Sequence, residues 1–589
     1  MEQTSLPVDQ EPFSTPLNAN FQAATLQIGV GSHNINHFGS RLPALADLNG
    51  AGRSSAVPGF ESCTSSQPSR IIADSQPWTI TETHYDKLCI EVLTFSRIIP
   101  DGCTLPTRHT LTRYLEKYIR CVQEYLPFIH IPTLQIEQRP IELVLAMAVL
   151  GAQYSFDRIQ SYEIYFIARA IVTEKERREQ SQLATNFLVG SEDQQDDPST
   201  NCVRIQTYVL LTSFVSWADN ILLHEALSMI TKLVLLTDRL AATITDTSPA
   251  SLITGWRSWA TGEETRRTIF AAYALCNLHC LVFGTSLPID STNFGLSLPT
   301  FAVEWRASDE AEWRAEHKLD VLPFSRAVEM LYEQDDTSVE VAELSSFANY
   351  ILIHSVLQQI CRQISQNSCG ESLASLERAL IRCKSIWEST NESTQDSDLD
   401  PLYAKGPLAM TGGALIDLAY VRLCCRASLV SRLVRDSSMK LLRDTHFKLG
   451  RTGRTHAAAL ACVHSLSVPA RLGISFMTTT KTAAWSIEQS MCWAESAIFL
   501  HKWLMYMSEI TGKQPLGPTE ELILSIVEDI VKSTVFSATM ECAKDNSGRI
   551  RNMASTVVKI FASIFQGVNV IDIENVIGNN LQHFEPNLL

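Results

Sequence analysis

From about Thr81 to the C-terminus, apolar residues recur three and four positions apart and almost never at every second position. That period belongs to the α-helix, because 3.6 residues complete a turn and bring such positions onto one face. Leu111, Tyr114, Leu115, Tyr118, Val122, Tyr125 and Leu126 trace one such stripe. Pro127 and Pro132 then end the helix and bracket the segment PFIHIP, since proline lacks the N–H that a helix interior needs. The same spacing predicts helices over 141–153, 162–179, 205–218 and 222–240, and later over 415–434, 456–466, 485–507, 520–535 and 550–565. No sustained two-residue alternation occurs, and no Asn-Gly or Asp-Gly turn joins β-branched runs. The expected fold is all-α, a large multi-helix bundle with a disordered N-terminal tail.

Residues 1–80 are rich in Ser, Pro, Gly, Asn and Gln and offer too little apolar surface to offset the entropy of ordering. They are expected to be a disordered region. A helical domain is expected over 81–330, and a C-terminal helical region packed on it over 331–589. Within the latter, TNESTQDSDLDP reads as an acidic linker near 390–402, and SEDQQDD at 191–197 reads as an acidic surface loop.

Charge and cysteine usage narrow the function classes. With 48 Lys and Arg against 64 Asp and Glu, the formal net charge is −16, which disfavours coating nucleic acid by phosphate neutralisation. The 15 cysteines include no CxxC pair and sit mostly in apolar helical runs, as buried reduced thiols do. The N-terminus MEQTSLPVDQEPF is polar and acidic, unlike a secretory signal. The longest apolar run, 269–283, falls short of the roughly 20 residues that span a bilayer and contains Asn277 and His279. A buried core helix is expected there, and no membrane partner.

Candidate chemical motifs are sparse. Cys276, His279 and Cys280 share a helical face at metal-compatible spacing, but no fourth ligand lies nearby and the run is apolar. His224-Glu225 opens like a zincin motif and lacks the second His. Cys462 and His464 face different directions, and Gly29-Val30-Gly31 follows no strand. The expectation is no catalytic residue, no metal, no cofactor and no small-molecule substrate. Lys440, Arg443, Lys448, Arg451 and Arg454 form a basic stretch around Gly450 and Gly453 that could meet phosphate or act as an import signal. A solvated loop between helices is the plainer reading.

The segment WRSWATGEETRRTIFAAYALCNLHCLVFGTSLPIDSTNFGLSLP, from Trp256 to Pro299, pairs two tryptophans, an acidic-then-basic turn, an apolar run and a Leu-Pro step. Glu263 precedes Arg267 by four residues, an orientation worth about 0.2–0.5 kcal/mol on a helix surface. This pattern resembles the central signature of the fungal-specific transcription factor domain. YLEKYIRCVQEYLPFIHIPTL, IELVLAMAVLGAQY, the Gln206-led RIQTYVLLTSFVSWADN and RASDEAEWRAE are similar to its other helices. THAAALACVHSLSVPARLGI, the Trp485 to Trp503 helix and STVVKIFASIFQGVNVIDIENVIGNNL resemble the C-terminal half of its zinc-finger-associated subgroup. In all, the resemblance covers about residues 85–585. It makes Trp256, Trp259, Glu264, Arg266, Arg267, Leu298 and Pro299 structural signature residues rather than a chemical site.

The resemblance implies a nuclear transcriptional regulator and not an enzyme, with metabolic genes, including secondary-metabolite clusters, as the expected targets. The sequence departs from the family at its start, where Cys63 alone precedes residue 85 and no zinc finger can form. The expected partners are therefore other transcription regulators or a second copy, with DNA reached indirectly. An upstream zinc-finger exon missing from the chain is a variant of that reading. The alternatives are an all-α isoprenoid-type enzyme, whose nearest motif is Asp335-Asp336 with Glu340 one residue too far, and a non-nuclear helical scaffold.

Overall fold

The computed structural model describes residues 76–189, 197–218, 222–244, 255–285, 289, 294–317, 322–333, 343–366, 370–390, 392, 406–425, 449–475, 477–478, 486–540, 545–567 and 569–584. Among these residues there are eighteen α-helices and no strand. The tail expected over 1–80 falls almost wholly outside the described residues, as do Asp335, Asp336 and Glu340.

The helices follow the apolar spacing. The first group comprises α1 (Glu82–Thr94), α2 (Arg108–Cys121), α3 (Ile141–Tyr154), α4 (Arg158–Val189), α5 (Pro198–Val215) and α6 (Leu223–Thr243). Next come α7 (Trp256–Phe283), the short α8 (Ala302–Arg306) and α9 (Glu310–Glu316), α10 (Phe324–Tyr332), α11 (Ser346–Gln366) and α12 (Gly370–Ser389). The last six are α13 (Gly406–Cys424), α14 (Gly453–Leu472), α15 (Ile487–Ile510), α16 (Pro518–Lys532), α17 (Asn546–Ile564) and α18 (Asp572–Gln582).

Several boundaries differ from the sequence reading, among them the end of α2 at Cys121 rather than Leu126 and the start of α13 at Gly406 rather than 415; two have identifiable reasons. Expected to stop at 179, α4 runs to Val189, because QSQLATN holds no breaker and Arg177 and Arg178 pair with Glu174 at 2.8 and 2.9 Å across its turns. Expected to start at 205, α5 starts at Pro198, because Asp197 accepts the N–H groups of Ser199 and Thr200 and proline suits a first helical position. Asp197 is therefore a helix cap rather than the end of a loop.

One hydrophobic cluster includes buried side chains from Ile80 to Phe584. At its centre every residue of α7 from Arg267 to Phe283 is buried, as expected for the run 269–283. Close approach between helices depends on small residues. A Cβ on Gly151 of α3 would lie 1.9 Å from the carbonyl oxygen of Tyr114, so only glycine lets α2 and α3 cross there. No described helix is long and apolar enough to cross a membrane.

Candidate functional site

The first three turns of α7 carry WRSWATGEETRR, and the structure turns half of these side chains inward. Trp256 and Trp259 do not join the main core. With Ala260 they form a separate cluster against Trp305 and Ala307, from the end of α8, and Trp313 of α9. Asp309 starts α9 by accepting the N–H groups of Ala311 and Glu312, each at 2.9 Å, which sets Trp313 5.5 Å from Trp259, ring to ring. His130, from the proline-bracketed loop, lies 4.6 Å from the Trp305 ring and accepts or donates at Thr133 Oγ1, 2.7 Å away. Burial, reinforced by the positive charge of Arg267, pushes the His130 pKa down to about 4, so it is neutral at physiological pH.

Behind the tryptophans sits a charged knot. Arg267 donates from Nε to Glu263 Oε1 at 2.7 Å, from Nη2 to the Thr300 carbonyl at 2.8 Å and from Nη1 to the Pro127 carbonyl at 3.2 Å. Its guanidinium also stacks 4.2 Å from the Trp305 ring centre. Glu263 accepts the Thr300 N–H at 3.0 Å and pairs with Arg266 as well. The Glu263 and Arg267 side chains are 0 % and 2 % exposed, so the surface value of an i,i+4 pair does not apply to them. A buried pair matters chiefly because losing one partner strands the other charge.

The neighbouring carboxylate serves different partners. Glu264 receives Arg139 at 2.9 Å and the Gln206 amide at 2.9 Å, tying α7 to the loop before α3 and to α5. Burial would raise both carboxyl pKa values, yet two guanidiniums hold Glu263 below its ordinary range, whereas Glu264, with one, stays raised. The Leu298-Pro299 step is pinned alongside: Leu298 N–H donates to Leu322 at 2.9 Å, and the Pro299 carbonyl accepts Ser345 Oγ at 2.8 Å. The signature residues thus converge on one junction, with Arg266 the most peripheral.

Several members of this junction were not visible as such in the sequence. Glu392 is buried and accepts the backbone N–H groups of Ala302 and Ser346, where the sequence reading placed a linker. Thr390 is buried as well, so the described part of the 390–402 stretch belongs to the core. Arg139 and Thr300 are joined to α7 across 125 and 37 residues of chain, separations that leave no local pattern.

The junction holds protein segments together; its charged groups are taken up by protein partners. A groove of about 920 Å³ opens beside it, touched by Arg267, Trp305, Phe347 and Glu392. Cys276, His279 and Cys280 lie in the apolar part of α7, where His279 faces Ser216 Oγ at 2.5 Å and rings from Trp217 and Phe283. That serine–histidine contact is buried, and His279 Nδ1 has no partner among the described residues to orient it. Cys462 is buried and His464 exposed, while Glu225 is bound by Arg169 at 3.0 Å.

The basic stretch divides. Lys440, Arg443 and Lys448 lie outside the described residues. Arg451 makes a bidentate pair with Glu520, at 2.7 and 2.5 Å, and Arg454 pairs with Glu377. Arg451, just before α14, thus reaches α16, and Arg454 of α14 reaches α12, although Arg451 remains exposed.

Comparisons with known proteins fit this architecture. The family model described as "Fungal specific transcription factor domain" matches residues 115–385, and "Fungal transcription factor C-terminal domain" matches 425–583. Zinc finger protein zas1 of Schizosaccharomyces pombe is 22 % identical over 274 residues, which are 44 % of this chain and 28 % of that protein. Zinc finger protein klf1 of the same yeast is 23 % identical over 218 residues, 35 % of this chain and 26 % of its own. The chain thus spans about a quarter of the length of these curated relatives. No solved structure matches it.

Proposed function

The chain belongs to the fungal-specific transcription factor family, and from that premise we propose that it is a transcriptional regulator working through its helical body. In this reading the body docks on a DNA-bound partner regulator or on a second copy and so reaches DNA indirectly. It acts in the nucleus, on metabolic genes that include secondary-metabolite clusters, and it is not an enzyme. One observation carries the reading. Both domain descriptions fall in order along the chain, and the charged residues between the signature tryptophans and the apolar run are bound to protein rather than open to a substrate. Such a junction fixes the shape of a docking body and leaves its outer helix faces free for protein recognition.

The test fuses residues 76–589 to a heterologous DNA-binding domain and follows a reporter, alongside the location of the tagged full chain. Nuclear accumulation with an altered reporter is expected. Persistent exclusion from nuclei with an unchanged reporter would leave a cytoplasmic scaffold instead. Chromatin occupancy that disappears when one partner protein is depleted would show the indirect route, whereas binding of purified chain to naked DNA would refute it.

A further inference from the structure

Between α12, α13, α14 and α15 lies a second cavity, of about 290 Å³, far along the chain from the signature. Its walls are largely apolar and include two indoles, Trp387 and Trp493, with Met410 and Val468. The glycine pair of α13 makes room for one of them. A Cβ on Gly413 would lie 3.2 Å from Trp387 Cζ2, and one on Gly412 would lie 3.4 Å from Trp387 Nε1. Trp387 is held in place by its Nε1–H bond to the Ala409 carbonyl at 3.0 Å.

Two acceptors line this apolar space. Asp417 is only 8 % exposed; its Oδ2 accepts Ser465 Oγ at 2.8 Å and meets His464 Nδ1 at 3.0 Å, while Oδ1 accepts no hydrogen bond from the described residues. Gln489, only 3 % exposed, has a buried side-chain oxygen without a partner among the described residues. A buried amide oxygen left unpaired is unfavourable and rare in native proteins. His464 and Arg471 stand at the same cavity. The pocket therefore combines flat aromatic walls, a carboxylate oxygen and an orphan carbonyl, a set that calls for N–H donors on a planar molecule.

We propose that this cavity binds a small planar nitrogen heterocycle carrying an exocyclic amino group, its ring against the indoles and its N–H groups on Asp417 and Gln489. Size fits: an apolar protein cavity of about 150 Å³ holds benzene, and about 290 Å³ admits a fused two-ring system. An aliphatic ammonium would face Arg471 and an anion would face the Asp417 carboxylate, so an uncharged ring suits the site better than either. Because four helices meet at the site, occupancy would stabilise the C-terminal part of the helical body.

The test uses purified full chain and adenine as the probe, with indene as a two-ring control that lacks N–H groups. Calorimetry and thermal melts should show saturable adenine binding with a raised Tm, and at least tenfold weaker binding of indene. Gln489→Leu should weaken adenine at least tenfold while its ligand-free circular dichroism stays unchanged. Should that variant unfold, Asp417→Asn, which keeps the side-chain shape, carries the same expectation. Absence of adenine binding, equal affinity for indene, or equal affinity in the folded variants overturns the proposal and leaves a hydrophobic void. Binding is read on protein alone, so its failure leaves the regulatory reading untouched.

Discussion

From Trp256 to Arg267, α7 buries two carboxylates, a guanidinium and two tryptophans; from Thr268 to Phe283 it buries alanines, large apolar side chains and only neutral polar groups. The second stretch is held by the removal of apolar surface from water, which is non-directional and tolerates neighbours of many shapes. The first is held by directional bonds to particular backbone groups at Pro127 and Thr300 and to the side chains of Arg139 and Gln206. Apolar burial supplies stability, whereas the charged end specifies which segments meet. That division explains how a signature can be rich in charge without being a chemical site.

A buried neutral histidine stands at each end, His130 packed from its loop onto the tryptophans and His279 on the helix itself, and acid should break both. The folded pKa is about 4 for His130 and about 3 for His279, lowered by burial, against 6.5 in an unfolded chain. The unfolded state therefore binds more protons below pH 6.5, and stability falls as pH drops toward the folded values. Each histidine should remove about 1.4 kcal/mol per pH unit across that window, so the pair accounts for about 5 kcal/mol by pH 4.5. Urea melts at pH 7.0, 6.0, 5.0 and 4.5 would measure the slope. A flat profile would mean that water reaches these rings in the native state.

Truncations separate the two ends more sharply. Arg267→Ala strands Glu263 in the core and should cost about 3–5 kcal/mol, read as a lower urea midpoint. Removing both partners, as Arg267→Met with Glu263→Leu, should recover part of that loss, because no uncompensated charge remains; Thr300 N–H then lacks its acceptor and keeps recovery incomplete. Leu278→Ala at the apolar end leaves a cavity and should cost about 2–5 kcal/mol, with no partner change able to rescue it. If the Arg267 and Glu263 effects simply added, the knot would be two independent contacts rather than one unit.

The same contrast governs what could be read from sequence. Apolar packing repeats along the chain, so the helices of α2, α3, α7 and α15 show in spacing alone, and α7 was expected to be buried where it is. Boundaries slipped where a cap or the lack of a breaker decided them, at Asp197 and after Glu179. The charged end is a long-range arrangement. Glu263, Glu264 and Arg267 were visible as residues, but their bonds span up to 140 positions and leave no periodic trace. Gln206 stood out only through family resemblance, and Glu392 was hidden inside a stretch whose composition reads as solvent.

Glu392 offers the smallest and most specific test. Its two carboxylate oxygens cap separate backbone N–H groups, that of Ala302 where α8 begins and that of Ser346 where α11 begins. Glu392→Gln keeps size and one acceptor oxygen but aims an NH₂ at the other N–H, so one charge-assisted bond is lost. The expected loss is about 1.5–3 kcal/mol, and it should concentrate at the junction. Hydrogen exchange should quicken at Ala302 and Ser346 and along the Trp305 segment, while amides from Ile269 to Phe283 keep their protection. Equal acceleration along all of α7 would show that the charged end and the apolar end open together, and the two-part description of this helix would then fail.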